Sequence, residues 1–363
     1  MTGRTIQNMK PLRGIRLTVN TAVLRQNIQI LRRAYADYTY YMAVVKADAY
    51  GHGLDRRVTA AMIEGGADYL VVCYLEEAKA VRRNHPDIPI LMLNPPTAEE
   101  LPLCLDQAID VTVDGAELAE AIAAGAYKGL RVHIKLDTGL GRYGVRSKAD
   151  FNRVYGLLAA SDAVVQGLYT HLTSETDLAA MQRQVELFSE MTADVDLSSI
   201  PIIHIPSGEA MLSLPRPDFV NGARVGSVSY GMIDRPELGL HSAFTVSTEV
   251  LSVRRVKKGE TIGYCGSYTA PEDGFAAMLP IGYAIGFLRG WRNHTVFIGG
   301  VEEPLIGGIF MCQCYAACPP GTRPGEEVIL FRDFAHIAAL ATATGTIPEE
   351  ILLALKPCEV LYI

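Results

Sequence analysis

The chain has no long apolar run. In its 363 residues no uninterrupted hydrophobic stretch approaches the roughly 20 residues that a membrane-spanning helix requires, so no membrane association is expected. The first nine residues are polar and hold no apolar core of the signal-peptide kind, and the expected location is the cytoplasm. An excess of positive charge is also missing. The formal net charge is −7, which gives no general attraction to nucleic acid or anionic lipid. The one basic cluster, Arg254, Arg255, Lys257 and Lys258, reads as a solvated turn. Seven cysteines without even spacing do not make a disulfide framework. Cys312, Cys314 and Cys318 form a C-x-C-x3-C group that matches no usual zinc spacing and has no histidine pair nearby, so no metal is expected. Internal repeats and low-complexity tracts are absent as well.

What is present is material for a large core. Hydrophobic residues make up 49% and charged residues 20%, the composition of an ordinary soluble enzyme with two domains or one barrel and an added module. From residue 40 to about 231 a pattern recurs: a short apolar run, a polar or glycine-containing turn, then a helix-period stretch. The apolar runs are 41–45, 69–73, 88–93, 109–113, 130–136, 164–169, 201–205 and 223–230, with helical stretches such as 76–83, 115–124 and 178–193 after several of them. Strands covered by helices read as continuous apolar runs. Eight of them predict a closed (β/α)8 TIM barrel, with a doubly wound open sheet as the alternative. No G-x-G-x-x-G follows the first run, which weakens a dinucleotide-binding reading.

The rhythm changes after about residue 238. Val and Thr alternate with polar residues and Gly turns over 245–256, 261–269, 274–280 and 294–298, with one helix-like stretch at 331–344. This predicts a C-terminal, mainly β domain, joined through a linker at 236–241. The expected boundaries are residues 12–237 for the barrel and 238–363 for the β domain, with residues 1–11 as candidates to pack on the latter.

In such a barrel the C-terminal ends of the strands carry the active site. The first run ends at Lys46, followed by Ala47-Asp48-Ala49-Tyr50-Gly51-His52-Gly53. A lysine there has its stem buried, which depresses its pKa and suits a Schiff-base amine. The fifth run ends in Lys135-Leu136-Asp137-Thr138-Gly139-Leu140-Gly141-Arg142. The sixth ends in Thr170-His171, the seventh in Pro206-Ser207-Gly208, and the eighth opens with Arg224-Val225-Gly226. Any one of these polar groups reads equally as structural. Five strand ends aimed at one mouth read as a site.

These residues also carry a resemblance. The stretch 43–53 around Lys46 resembles the cofactor-lysine motif of the alanine racemases, and the likeness continues through 133–142, Tyr169-Thr170-His171, Arg224-Val225-Gly226, Gly263-Tyr264-Cys265-Gly266 and Ile281-Gly282-Tyr283-Ala284. The matching blocks span nearly the whole chain in the family's order. The resemblance implies a (β/α)8 barrel plus a C-terminal β domain, paired head to tail as a homodimer with shared active sites. It implies Lys46 as the lysine that bonds to pyridoxal 5'-phosphate and serves as one base, and Tyr264 as the second base from the partner subunit. Inverting a carbon centre needs a base on each face. His171 would stand behind them, and Arg224 would meet the pyridine nitrogen. A guanidinium does not readily give up a proton, which favours simple proton return over transamination. By the same resemblance Tyr50, Ser207, Gly226 and Ser227 hold the phosphate, where glycine admits close backbone approach. Arg142 and Met311 hold the substrate carboxylate, Tyr283 and Cys312 line the substrate side, and Lys135 matches a lysine that is often carbamylated.

The sequence departs from the family's pattern at four places. Cys312 and Ile285 stand where aspartates are usual, Gly308 replaces an entrance arginine, and Glu349 aligns with a tyrosine near the phosphate. These changes leave the proton-transfer set intact and gather at the substrate side. The expected reaction is therefore racemisation of a small amino acid, alanine or else serine or a longer or cationic one. The alternatives are an amino-acid decarboxylase on the same fold and a non-catalytic cofactor-binding protein.

Overall fold

The computed structural model describes residues 13–363. They fall into two units, residues 22–240 and residues 13–21 with 241–363. Residues 1–11, the candidates to pack on the β domain, lie outside the described residues.

Strand β1 (Arg16–Val19) comes first, and the barrel follows as β2 (Tyr40–Val44), β3 (Tyr69–Val72), β4 (Ile90–Met92), β5 (Ile109–Val113), β6 (Arg131–Lys135), β7 (Val164–Tyr169), β8 (Ile202–Ser207) and β9 (Gly222–Val225). β2 to β9 are parallel neighbours in sequence order, and β9 pairs with β2 to close the barrel. Each expected apolar run overlaps one strand. Every residue of β3 and β5 is buried, as a sheet covered on both faces demands. The helices between strands start where the sequence supplies caps. Asp55, Ser147 and Asp177 accept backbone N–H bonds at the heads of Arg56–Gly65, Lys148–Ala159 and Leu178–Met191.

Two expectations need correction. The eighth apolar run extends to residue 230, but β9 ends at Val225. Gly226 turns the backbone (φ −104°, ψ −110°), and Ser227–Tyr230 forms a 3-10 turn. The run stays apolar because Val228 and Tyr230 are themselves fully buried, and the Tyr230 hydroxyl donates to the Val44 carbonyl, 3.1 Å away.

The second correction concerns the start of the barrel, expected at residue 12. β1 belongs to the other unit. It runs antiparallel to β10 (Phe244–Glu249), with Arg16 opposite Ser247, and parallel to the last strand, with Arg16 opposite Glu359. Its residues alternate between half-buried and buried, the signature of a sheet with one covered face. The boundary after the barrel falls at 240/241, inside the expected linker and three residues beyond the expected break.

The remaining strands of this unit are β11 (Ser252–Val256), β12 (Thr261–Ile262), β13 (Tyr268–Thr269), β14 (Gly274–Leu279), β15 (Thr295–Ile298), β16 (Val301–Ile306), β17 (Cys314–Ala317), β18 (Glu327–Phe331) and β19 (Glu359–Tyr362). One sheet has the order β11-β14-β17-β16-β15-β18-β10-β1-β19, and β12 and β13 pair separately. Helices Phe334–Thr344 and Pro348–Ala354 accompany it. Among the described residues no single helix is long and apolar enough to cross a membrane.

Candidate active site

Lys46 follows β2 by one residue and is half-buried. The four residues after it, Ala47, Asp48, Ala49 and Tyr50, all have φ between 52° and 56°. This is a left-handed turn built from side-chain-bearing residues, and L-residues meet roughly 1–2 kcal/mol of steric cost at each such position. Specific bonds hold it. The Ala47 amide donates to Glu77 Oε1 at 2.7 Å, while Glu77 Oε2 accepts from Cys73 and Tyr74 amides at 2.8 and 3.2 Å. The Leu54 amide donates to Asp48 Oδ1 at 2.6 Å. Behind the turn, the Tyr230 ring lies 4.5 Å from His52 and 5.1 Å from Tyr50. Lys46 Nζ thereby sits 5.9 Å from the Tyr50 ring centre.

Three more cations share this end of the barrel. Arg224 is buried and has no carboxylate against it. One terminal nitrogen donates to His204 Nδ1 at 2.8 Å, and the other to the Thr170 and Ile205 carbonyls and to His171 Nδ1 at 2.8, 3.0 and 3.2 Å. Burial lowers its pKa to about 10. His171 is pushed down to about 3, first by burial and then by the positive charges of Arg224, Arg142, Lys46 and Lys135. It is therefore a neutral imidazole inside a ring of cations. Because arginine only donates, His171 Nδ1 is the acceptor and Nε2 carries the proton. Lys135 is fully buried, and its pKa falls to about 8 through burial and the nearby Arg142 charge. Its Nζ donates to the Tyr143 carbonyl. The loop leading to Arg142 is pinned by Asp137, which accepts from the Gly139 and Gly141 amides at 3.2 and 2.9 Å.

The expected phosphate residues also converge. A Cβ on Gly226 would lie 2.4 Å from the Tyr50 hydroxyl, so only glycine leaves room for that tyrosine beside the backbone. Ser207 caps helix Gly208–Ser213 and donates to Glu175 Oε1 at 2.8 Å; Ser227 donates to Glu209 Oε1 at 3.1 Å. The two carboxylates are not foreseen from the sequence, and neither is Glu77. All three stand on surface-like helical or loop stretches, where an acid gives no signal until its hydrogen bonds are seen.

In the β unit, Tyr264, Tyr283, Gly308 and Met311 line a cavity of about 630 Å³ together with Arg289 and Arg292. Tyr264 is 81% exposed, and its ring meets Phe310 edge-on at 5.3 Å. Cys312 is exposed beside Met311 but is not among the cavity's lining residues, and neither are Ile285 and Glu349. Glu349 stands in the first turn of helix Pro348–Ala354. Of the four departures from the family pattern, only Gly308 borders the cavity.

A parallel barrel that gathers two lysines, two arginines and a neutral histidine at one mouth, followed by a β unit with an exposed tyrosine, defines an enzyme of the barrel-plus-β type. The sequence models of the alanine racemase N-terminal and C-terminal domains match residues 19–234 and 243–359, and the chain belongs to the alanine racemase family, a group of isomerases. It is 33% identical to the alanine racemase of Geobacillus kaustophilus over 95% of this chain and 91% of that protein. It is 34% identical to that of Geobacillus stearothermophilus over 88% of this chain and 87% of that protein. Among solved structures, alanine racemase from E. faecalis superposes with a TM-score of 0.88 at 26% identity, covering 97% of this chain and 98% of that one. The Bacillus anthracis enzyme with bound L-Ala-P gives 0.86 at 26% identity, covering 98% and 96%.

Proposed function

We propose that this protein interconverts L- and D-alanine with pyridoxal 5'-phosphate bound through Lys46. The observation that carries the reading is the cationic barrel mouth. Lys46, Lys135, Arg142 and Arg224 surround a histidine kept neutral, an environment that calls for an anionic cofactor and a substrate carboxylate. The residues fit that cofactor. Tyr50, Ser207 and Ser227 offer hydroxyls beside Gly226, whose missing Cβ leaves a corner against the Tyr50 hydroxyl, and backbone at a glycine turn suits a phosphate. Glu175 and Glu209 give up their serine bonds when an anion takes those hydroxyls.

When bound, pyridoxal phosphate withdraws electrons from the amino acid and makes its α-proton acidic. The chain's own groups then act on that proton. Lys46 Nζ takes or returns it on one face, and the Tyr264 hydroxyl does so on the other. The Tyr264 of a second copy serves each barrel, which explains its exposure and makes the working unit a symmetric homodimer. His171, neutral and held by Arg224, orients without adding a fifth charge. Arg224 stays protonated at neutral pH and keeps its proton, which favours return of the α-proton over transfer of the amino group. Arg142 grips the substrate carboxylate, with Met311 and Tyr283 closing the substrate side.

A small neutral side chain fits better than a cationic one. Arg289 and Arg292 line the β-unit cavity and no carboxylate does, so a lysine-like substrate would meet like charge. The expected compartment is the cytoplasm. The test is a chiral assay of the cofactor-loaded protein against a panel of L-amino acids, with Tyr264→Phe alongside. D-Alanine should form, and Tyr264→Phe should retain the cofactor while racemisation falls by orders of magnitude. A bound cofactor with no D product from any amino acid would refute the reading in favour of a decarboxylase or a non-catalytic binder.

A further inference from the structure

A chain of buried polar groups runs through the barrel interior, where side chains of this fold are usually branched and apolar. It starts at Arg224 near the C-terminal end of β9. It passes through His204 on β8 and His133 on β6, and it ends at Asp110, the second residue of β5. All four are buried, and the two imidazoles and the carboxylate are fully so. Arg224 donates to His204 Nδ1 at 2.8 Å, His204 Nε2 lies 3.0 Å from His133 Nδ1, and His133 Nε2 lies 3.5 Å from Asp110 Oδ2. The far end is anchored. Arg131 Nε donates to Asp110 Oδ1 at 2.6 Å and the Tyr69 hydroxyl to Oδ2 at 3.2 Å.

The direction of the chain follows from its first member. Arginine has no acceptor, so His204 Nδ1 is bare and its proton sits on Nε2. That proton is given to His133 Nδ1, which leaves the His133 proton on Nε2, 3.5 Å from the carboxylate and without a hydrogen-bond partner, so the last link is electrostatic. Two neutral rings are thus aligned head to tail between a buried cation and a buried anion. The barrel makes space for them. A Cβ on Gly167 would lie 2.3 Å from His133 Nδ1, and Tyr169 stacks on His204 at 4.6 Å and 11°. Arg224 otherwise bonds only neutral partners, and a buried charge needs a counterpart.

We propose that Asp110 is a positioning residue for the reaction: its charge, 3.5 Å from His133 Nε2, reinforces the tautomers that Arg224 sets in His204 and His133 and so helps to hold the Arg224 guanidinium in place. Its kinetic consequence rests on the reading that Arg224 faces the cofactor ring, whereas the tautomers are a property of the barrel alone. Asp110→Asn keeps the shape and one acceptor oxygen but removes the charge. Imidazole 15N NMR of the full chain, with and without pyridoxal phosphate, reads the tautomers directly. Both His204 and His133 should carry their proton on Nε2. The His133 Nε2 resonance should shift between the native chain and Asp110→Asn, because the charge 3.5 Å away is lost. Arg131→Gln, which removes only the outer partner of the carboxylate, should leave both tautomers unchanged. In the loaded enzyme Asp110→Asn should lower kcat about tenfold, the scale on which one buried charge acts on a close neighbour, with KM within twofold. A protonated Nδ1 on His204 would overturn the proposal, as would an Asp110→Asn variant with native histidine resonances and native kcat. If the native enzyme racemises nothing, the NMR arm still decides, so the two readings fail separately.

Discussion

Lys135 Nζ lies 4.3 Å from the ring centre of Tyr143, and its charge is held by that ring and a carbonyl with no carboxylate bonded to it. The Arg142 guanidinium lies 5.3 Å from the same ring. Two cations therefore share one aromatic face region, and the buried one is the easier to discharge.

Lys135 should be chemically modifiable near neutral pH. Its pKa is lowered from 10.5 to about 8, so the free amine becomes abundant as pH rises through 8. Carbon dioxide adds to that amine, forming an N–C bond and releasing one proton, and the resulting anion would pair with Arg142. In 13C-bicarbonate a carbamate carbon resonance should appear in the native protein and be missing in Lys135→Arg. No resonance at pH 8 would dismiss the modification. The sign for stability also follows. Between about pH 8 and 10.5 the unfolded chain binds more protons than the folded one at this site, so its contribution to stability rises with pH across that window.

Gly226→Ala tests the phosphate corner. The added methyl would drive the Tyr50 hydroxyl aside, since it would lie 2.4 Å away. Affinity for pyridoxal phosphate should fall at least tenfold, about 1.4 kcal/mol, measured by absorbance titration, while the melting temperature of the cofactor-free protein changes little. Native affinity would remove Tyr50 and Gly226 from the cofactor site.

The left-handed turn after Lys46 makes opposite predictions for two substitutions. Ala47→Gly relieves a positive φ of 52° and should stabilise the protein by about 1 kcal/mol, net of glycine's greater freedom when unfolded. Glu77→Ala strips the acceptor from three backbone amides and should destabilise by about 2 kcal/mol. It should also weaken cofactor loading, because the turn sets the direction of Lys46. Thermal melts of both variants check the pair; equal and unchanged values would mean that the turn is not strained and not held by Glu77.

Much of this fold is legible in the residues alone. Barrel strands are continuous apolar runs because both faces are covered, and a run such as Tyr69–Val72 announces itself. Lys46, His171, Ser207 and Arg224 are legible because each stands at a strand end. Asp110, His133 and His204 are not, since they lie inside runs and not at strand ends, where a polar residue gives no sign of its partners. β1 is misassigned for a different reason. Four alternating residues identify a strand but not its partners, and those partners lie more than 200 positions away. The turn after Lys46 leaves no trace either, because Ala47, Asp48 and Ala49 ordinarily favour right-handed backbone.

The placement of β1 has a consequence for synthesis. Its two neighbours, β10 and β19, emerge from the ribosome only after the entire barrel has been made. Until then both edges of β1 offer unpaired amides and carbonyls, an invitation to wrong pairing with other nascent chains. The sheet cannot be completed until β19 has left the exit tunnel. The barrel, by contrast, has all of its strands in hand earlier.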